Sequence, residues 1–107
     1  MQEALRDVEA LLVPATMIAA QPVAAVDASM EAYAACNLNY LRNTSIGNIL
    51  NLCAVSVPCG VTRDGLPIGL MVYGKPHHEA TVLRIAQAFE QATAWHDQTP
   101  NLSWIPT

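Results

Sequence analysis

The feature that most constrains this chain is an Asp64-Gly65 pair set between two apolar runs. Asp-Gly is a strong hairpin signal, because glycine accepts a positive φ that a side chain would resist. The spacing predicts a strand over Ala54–Val61, a turn at Thr62–Gly65 and a return strand over Leu66–Tyr73. Ile68, Leu70, Met71 and Val72 make the return strand apolar almost throughout, the pattern of a strand covered on both faces. Pro58 and Pro67 have no N–H to donate, so they belong at a bulge, at a sheet edge or beyond the pairing. Gly74-Lys75-Pro76 ends the strand. A helix then starts near His77-His78 and runs to about Trp95. Val82, Leu83, Ile85, Ala86 and Phe89 form its buried face, with Arg84, Gln87, Glu90 and Gln91 toward water. Residues 54–94 thus read as a buried hairpin followed by one amphipathic helix, the scaffold of an α/β fold and not by itself a catalytic site.

A chain of 107 residues is enough for one domain, but 52% of its residues are hydrophobic and only 13% are charged. Soluble domains average nearer ~25% charged. There is too little polar surface to cover a free-standing globule of this size. Either the chain is a stable oligomer, or it is part of a larger protein and some core faces are bare. The second is favoured, since the first residues already read as the middle of a fold. The net charge is −4, and the cations Arg6, Arg42, Arg63, Lys75 and Arg84 are scattered. No basic footprint for nucleic acid results. No apolar run reaches membrane-spanning length, and the start does not resemble a signal peptide. Cys36, Cys53 and Cys59 lie among apolar residues, as expected of reduced, buried thiols in a cytoplasmic protein. They lack the close Cys-x-x-Cys pairs of zinc sites, so no metal is expected.

Upstream of the hairpin, Met1 to Ala10 reads as the end of a helix. Leu11-Leu12-Val13 reads as a short buried strand stopped by Pro14. Residues 14–27, with a proline at position 22, read as an irregular crossing loop. Ala28 to Leu41 reads as a helix capped by Asp27 or Ser29. A second helix is expected over Ile46–Leu52, capped by Thr44 or Ser45, with Asn48 and Asn51 as its polar members. Residues 96–107 read as a surface tail, and no domain boundary divides residues 1–107.

Nucleophiles are scarce. Ser29, Ser45, Ser56 and Ser103 lie in neither a Gly-x-Ser-x-Gly elbow nor a Ser-x-x-Lys pattern. Ser56, between two valines, is expected to hydrogen-bond a neighbouring loop. Cys59 reads as a packed core thiol, with no adjacent cation to lower its pKa. His77-His78 reads as an exposed pair at a helix start, and Lys75 as a solvated turn residue. Buried amides at Asn48 and Asn51 would need partners, and pinning a loop or strand is favoured over substrate contact. No two carboxylates pair as acid and base, and no glycine-rich phosphate loop is present.

The segment NTSIGNILNLCAVSVPCG at residues 43–60, followed by DGLPIGLMVYGKPHHEATVLRIAQAFEQ, resembles the C-terminal end of amidase-signature hydrolases. There the pattern runs Thr-x-x-x-Asn, then Gly-Leu-Pro-Ala-x-Ser-x-Pro-x-Gly, then Gly-Leu-Pro-x-Gly-x-Gln-x-x-Gly and a helix. Upstream, ALLVPATMIAAQPV resembles the strand that leads into the family's proline-containing loop. The resemblance covers about residues 5–95. This chain departs from the pattern at Asn51, Cys53 and Met71, where glycine, proline and glutamine are usual.

What the resemblance implies is an α/β/α sandwich with a mixed sheet, incomplete in this chain. It implies cleavage of carbon–nitrogen (amide) bonds by a Ser–cis-Ser–Lys triad, with no cofactor. That nucleophile lies in a Gly-Ser-Ser-rich segment far upstream of this region. No Ser-Ser pair occurs here, and Lys75 matches the lysine common after the second strand, so no catalytic residue carries over. Thr44 and Asn48 match motif positions near the family's substrate side and are the candidate pocket residues. The expected function is that of a C-terminal fragment or subunit of an amidase-type hydrolase, lacking the triad on its own. Its expected partners are the remainder of the amidase domain or a second copy. A small amide substrate is expected only with the full enzyme. The alternative is a non-catalytic α/β self-association module derived from an amidase tail.

Overall fold

The computed structural model describes residue 3 and residues 5–105. Its order is β1 (Leu11–Pro14), α1 (Val23–Val26), α2 (Met30–Leu50), β2 (Cys53–Val61), β3 (Pro67–Gly74), α3 (Glu79–Ala92) and a 3-10 turn at Trp95–Asp97. The three strands form one sheet in the order β1-β3-β2, antiparallel throughout, with both edges open among the described residues.

The hairpin closes where the Asp-Gly pair places it. Gly65 N–H donates to Thr62 O at 3.0 Å, Thr62 N–H to Leu66 O at 2.8 Å, and Leu66 N–H to Thr62 Oγ1 at 3.1 Å. Gly65 has φ +80°, which a Cβ would oppose. The connection is therefore a tight turn followed by a positive-φ residue, not a two-residue loop. Pro67 opens β3, and the register slips between Pro58 and Gly60, leaving Cys59 as the extra residue of a bulge. Both prolines thus sit where a missing N–H is tolerated.

Helices cover the two faces of the sheet. Successive strand residues point to opposite faces. Tyr73 packs against Gly47 of α2, while the neighbouring Gly74 lies under Val82 of α3. The architecture is therefore α/β with a helix on each side. Met71, Val72, Tyr73 and Gly74 are buried, but Pro67 and Ile68 are exposed. Double cover is reached only in the second half of β3, and Val57 is the single buried residue of β2.

Several expected details change. β1 forms as an edge strand, but it alternates between half-buried and exposed and is not buried outright. Residue 3 and residues 5–7 form turns, with Arg6 N–H on Glu3 O at 3.2 Å, so they do not continue a helix. The rest of the expected first helix, at residues 1, 2 and 4, lies outside the described residues. The crossing loop contains one helical turn, α1, and is held to α2 by Tyr40. That hydroxyl accepts Gln21 N–H at 3.0 Å and donates to Ala19 O at 3.3 Å.

The two expected helices over residues 28–52 are one, because no proline or glycine interrupts residues 41–46. Thr44 is not a cap. Its hydroxyl donates back to Leu41 O at 3.0 Å inside the helix, the usual accommodation of a mid-helix threonine. Of the proposed first caps, Ser29 is the one used, with Oγ accepting Ala32 N–H at 3.1 Å. The helix ends at Asn51, whose backbone is left-handed at φ 54° and ψ 43°. Leu52 N–H returns to Gly47 O at 2.9 Å and Asn51 N–H to Asn48 O at 3.4 Å, the paired bonds of a Schellman ending.

In α3, Val82 and Ala86 are buried, with Ile85 and Phe89 beside them, but Leu83 is exposed. At 100° per residue, Leu83 falls outside the stripe that the other four share. Residues 98–105 have no regular structure, and Trp104 is exposed.

Candidate functional site

The candidate pocket residues Thr44 and Asn48 lie one turn apart on α2, on a shared side. Their position depends on a junction that the sequence did not announce. Asn43 is the one buried polar residue of the described core, at 7% exposure. Its Nδ2 donates to Pro14 O at 2.7 Å, tying α2 to the end of β1. Its backbone carbonyl accepts the Tyr73 hydroxyl, tying α2 to β3. One turn further on, Gly47 lets the Tyr73 ring lie directly against the helix backbone. A Cβ there would come within 3.1 Å of Tyr73 Cζ and Oη, and closer still to Cε1. Asn43, Gly47 and Tyr73 therefore form a clamp that sets the height and rotation of α2 on the sheet. Among the described residues no fully buried side-chain nitrogen or oxygen lacks a hydrogen-bond partner, as burial demands.

Thr44 is half-buried and its hydroxyl is turned back into its own helix, while Asn48 is exposed. Among the described residues, a cavity of about 470 Å³ is lined by Leu5, Leu52, Lys75 and His77 with others, and by neither Thr44 nor Asn48. Asn48 and Asn51 do not pin a loop through buried amides, since both side chains are exposed. Asn43 takes that role. Its signal was the glycine four residues later, since an isolated glycine within a helix marks a close approach.

The candidate nucleophiles are dispersed. Ser29 caps α2, Ser45 lies within it, Ser56 is on β2 and Ser103 is in the tail. Ser56 does not bond a loop. It is exposed, and its Oγ lies over Gly69, where a Cβ would approach it to 2.8 Å. Among the described residues no hydrogen bond joins a serine hydroxyl to Lys75 or to another serine. Lys75 Nζ instead donates to Arg6 O at 3.5 Å.

The three cysteines are free and half-buried, not fully buried. Cys53 Sγ–H donates to Lys75 O at 3.1 Å, and Cys59 Sγ–H to Ile68 O at 3.5 Å. His77 has a left-handed backbone at φ 63°, and His78 takes the N-cap position of α3 without a side-chain cap bond. The described residues contain no group of three or more His, Cys, Asp or Glu able to hold a metal ion. They also contain no helix long and apolar enough to cross a membrane. Among the described residues the arrangement can position a helix face, and no serine hydroxyl is hydrogen-bonded to a lysine or a histidine.

Comparison with known proteins places this scaffold. The amidase family pattern matches residues 1–83, which takes in β1, α2, the hairpin and the first part of α3. The A subunit of glutamyl-tRNA(Gln) amidotransferase from Geobacter metallireducens is 61% identical over 51 residues, or 48% of this chain and 10% of that protein. Its counterpart from Dehalococcoides mccartyi strain 195 is 54% identical over 55 residues, 51% of this chain and 11% of that protein. The counterpart from Geobacillus kaustophilus is likewise 54% identical over 55 residues, 51% of this chain and 11% of its own length. The matched segment spans about a tenth of these relatives. With the family pattern covering more than half of its residues, the chain belongs to the amidase-signature family.

Proposed function

We propose that this chain supplies the C-terminal part of an amidase-type enzyme that cleaves carbon–nitrogen bonds of amides, with the Ser-Ser-Lys triad carried by residues outside it. One observation carries this reading. The family match runs through β1, α2 and the hairpin, while the four serines, at the N-cap of α2, within α2, on β2 and in the tail, have no lysine bonded to any of them among the described residues. A triad of this type needs its groups within hydrogen-bond reach, so that lysine activates the bridging serine and the bridging serine takes the nucleophile's proton. Collapse of the tetrahedral intermediate breaks the C–N bond, the relayed proton leaves with the amine, and the acyl-enzyme that remains is hydrolysed by water to the acid and the free serine.

The part played by this chain is positional. Asn43, Gly47 and Tyr73 fix α2 on the sheet, and α2 presents Thr44 and Asn48 toward the substrate. With its proton given to Leu41 O, the Thr44 hydroxyl would serve a substrate as an acceptor, while the Asn48 amide would donate to a substrate carbonyl. The relatives are named as subunits of an amidotransferase, which supports work in an assembly with further chains or chain regions. The free thiols suit the reducing cytoplasm, and the scattered cations give no support for direct nucleic-acid binding.

The test is hydrolysis of a small amide by the complete enzyme bearing Asn48→Ala or Thr44→Val. Each should lower kcat/KM by about tenfold, the value of one lost hydrogen bond to substrate, with the unfolding midpoint unchanged. Wild-type kinetics in both variants would remove these residues from the pocket. The 107-residue chain alone should release no ammonia from any simple amide. The second reading is a self-association module without catalysis, favoured by the exposed apolar surface. A stable dimer with a dry interface, measured by light scattering, would support it instead.

A further inference from the structure

The crossing loop between β1 and α1 is tethered at its two ends and stands off the hairpin between them. Ala15 N–H donates to Gly69 O at 2.8 Å, which carries the β1 ladder one residue past Pro14. Beyond that point the loop bonds to itself, Thr16 Oγ1 donating to Ile18 O at 2.8 Å and Gln21 Nε2 to Ala19 O at 3.1 Å. Among the described residues, Tyr40 of α2 is the one side chain that hydrogen-bonds residues 16–21 to another element. Its hydroxyl accepts Gln21 N–H and donates to Ala19 O, so the donor and an acceptor site are both spent on the loop.

Two cavities separate the loop from the hairpin. One of about 200 Å³ is bounded by residues 16–19 of the loop and residues 67–69 of β3. The other, of about 510 Å³, is bounded by residues 19–22 of the loop and by Thr62, Asp64 and Leu66. They share Ala19 and Thr62, so the loop bridges a gap instead of packing on the hairpin. A segment with few packed contacts and two anchor points opens more readily than the core does.

The tethers also place the loop relative to the candidate pocket residues. It leaves α2 at Asn43, which holds Pro14 O, and returns to it at Tyr40, one turn back. Thr44 follows Asn43 directly. Tyr40, Thr44 and Asn48 stand at successive turns and spread over about 80° of the helix. The side chain that holds the loop and the candidate substrate residues thus share one stripe of α2.

We propose that residues 16–21 form a strap that closes beside this stripe, and that Tyr40 is a positioning residue whose hydroxyl latches the strap shut. The proposal rests on the amidase reading above, because Thr44 and Asn48 meet a substrate only within it. Tyr40 acts through the strap and not on the scissile bond. With the latch removed, the strap spends part of its time open, and a substrate has to draw it shut on binding. That weakens apparent affinity and leaves the bond-breaking step alone.

The experiment is Tyr40→Phe in the complete enzyme, read in two ways. Phenylalanine keeps the ring and loses both hydroxyl bonds. Hydrogen exchange resolved to single amides should show Gln21 N–H exchanging at least about tenfold faster, with Val72 of β3 unchanged. Hydrolysis of benzamide should show KM raised about fivefold, the value of one hydrogen bond, with kcat within about twofold. Unchanged exchange at Gln21 overturns the latch. Faster exchange with an unchanged KM overturns the link between strap and substrate. A fall in kcat together with faster exchange at Val72 assigns Tyr40 to the fold alone and overturns the proposal as well. If the unsubstituted enzyme releases no ammonia from benzamide or any other simple amide, the amidase reading fails and takes the link to substrate with it, while exchange at Gln21 still decides the latch.

Discussion

Gly47→Ala is the substitution that best probes how α2 meets the sheet. In an ordinary helix interior this change gains about 1 kcal/mol, because alanine is the better helix former. Here the new Cβ would stand within 3.1 Å of Tyr73 Cζ and Oη, and still nearer to Cε1. The Tyr73 side chain is among the most deeply buried in the structure, at 2% exposure, so it has no free space to turn into. Overpacking of this kind costs about 1–3 kcal/mol. Displacing the ring also breaks the bond from its hydroxyl to Asn43 O, worth about 1 kcal/mol. The net expectation is a loss of about 2 kcal/mol, or a fall of roughly 10 °C in Tm for a domain of this size. Urea unfolding followed by circular dichroism measures it directly. In a Tyr73→Leu background the same change should cost nothing or stabilise, giving a coupling of about 2 kcal/mol in the double-mutant cycle. A gain of about 1 kcal/mol from Gly47→Ala in the wild-type background would refute the clamp.

Other outcomes follow from neighbouring features. Tyr73→Phe should destabilise by about 1 kcal/mol, since it leaves the ring in place and removes only the hydroxyl bond to Asn43. At Asn51, in the left-handed region, Asn51→Gly should hold or raise the urea midpoint, whereas Asn51→Val should cost about 1–2 kcal/mol. Gly65→Val should destabilise the hairpin by about 1–2 kcal/mol, because a β-branched residue resists the observed φ of +80°; an unchanged midpoint would disprove the turn. Ser29→Ala should cost about 1 kcal/mol by removing the cap on Ala32 N–H, measured in the same unfolding assay.

The hairpin and α3 were legible in the sequence because their causes are local. Asp64-Gly65 sets the turn, the prolines choose their own places, and Val82, Ile85, Ala86 and Phe89 repeat at the helical period. The continuity of α2 was less legible. Thr44 and Ser45 look like caps, yet a cap acts only where the chain leaves the helix, and nothing between residues 41 and 46 forces it out. Asn51 resolves one departure from the family pattern. The position needs a left-handed backbone, and asparagine is the side chain that tolerates it best after glycine. The Asn43 clamp was hidden for a different reason. Whether an asparagine is buried depends on which strand passes beneath it, and only the β1-β3-β2 order brings Pro14 O and the Tyr73 hydroxyl to the same residue. Leu83 has a different cause: at 100° per residue it falls outside the stripe that Val82, Ile85, Ala86 and Phe89 share, so being apolar did not make it core.

The central claim is that this chain is amidase scaffold without a nucleophile of its own. Treating the isolated chain with a serine-directed fluorophosphonate and recording its intact mass tests that claim most directly. The account predicts an unchanged mass and no adduct in the peptide map. A stoichiometric adduct on Ser56 or Ser45, lost together with amide hydrolysis on substitution by alanine, would contradict it.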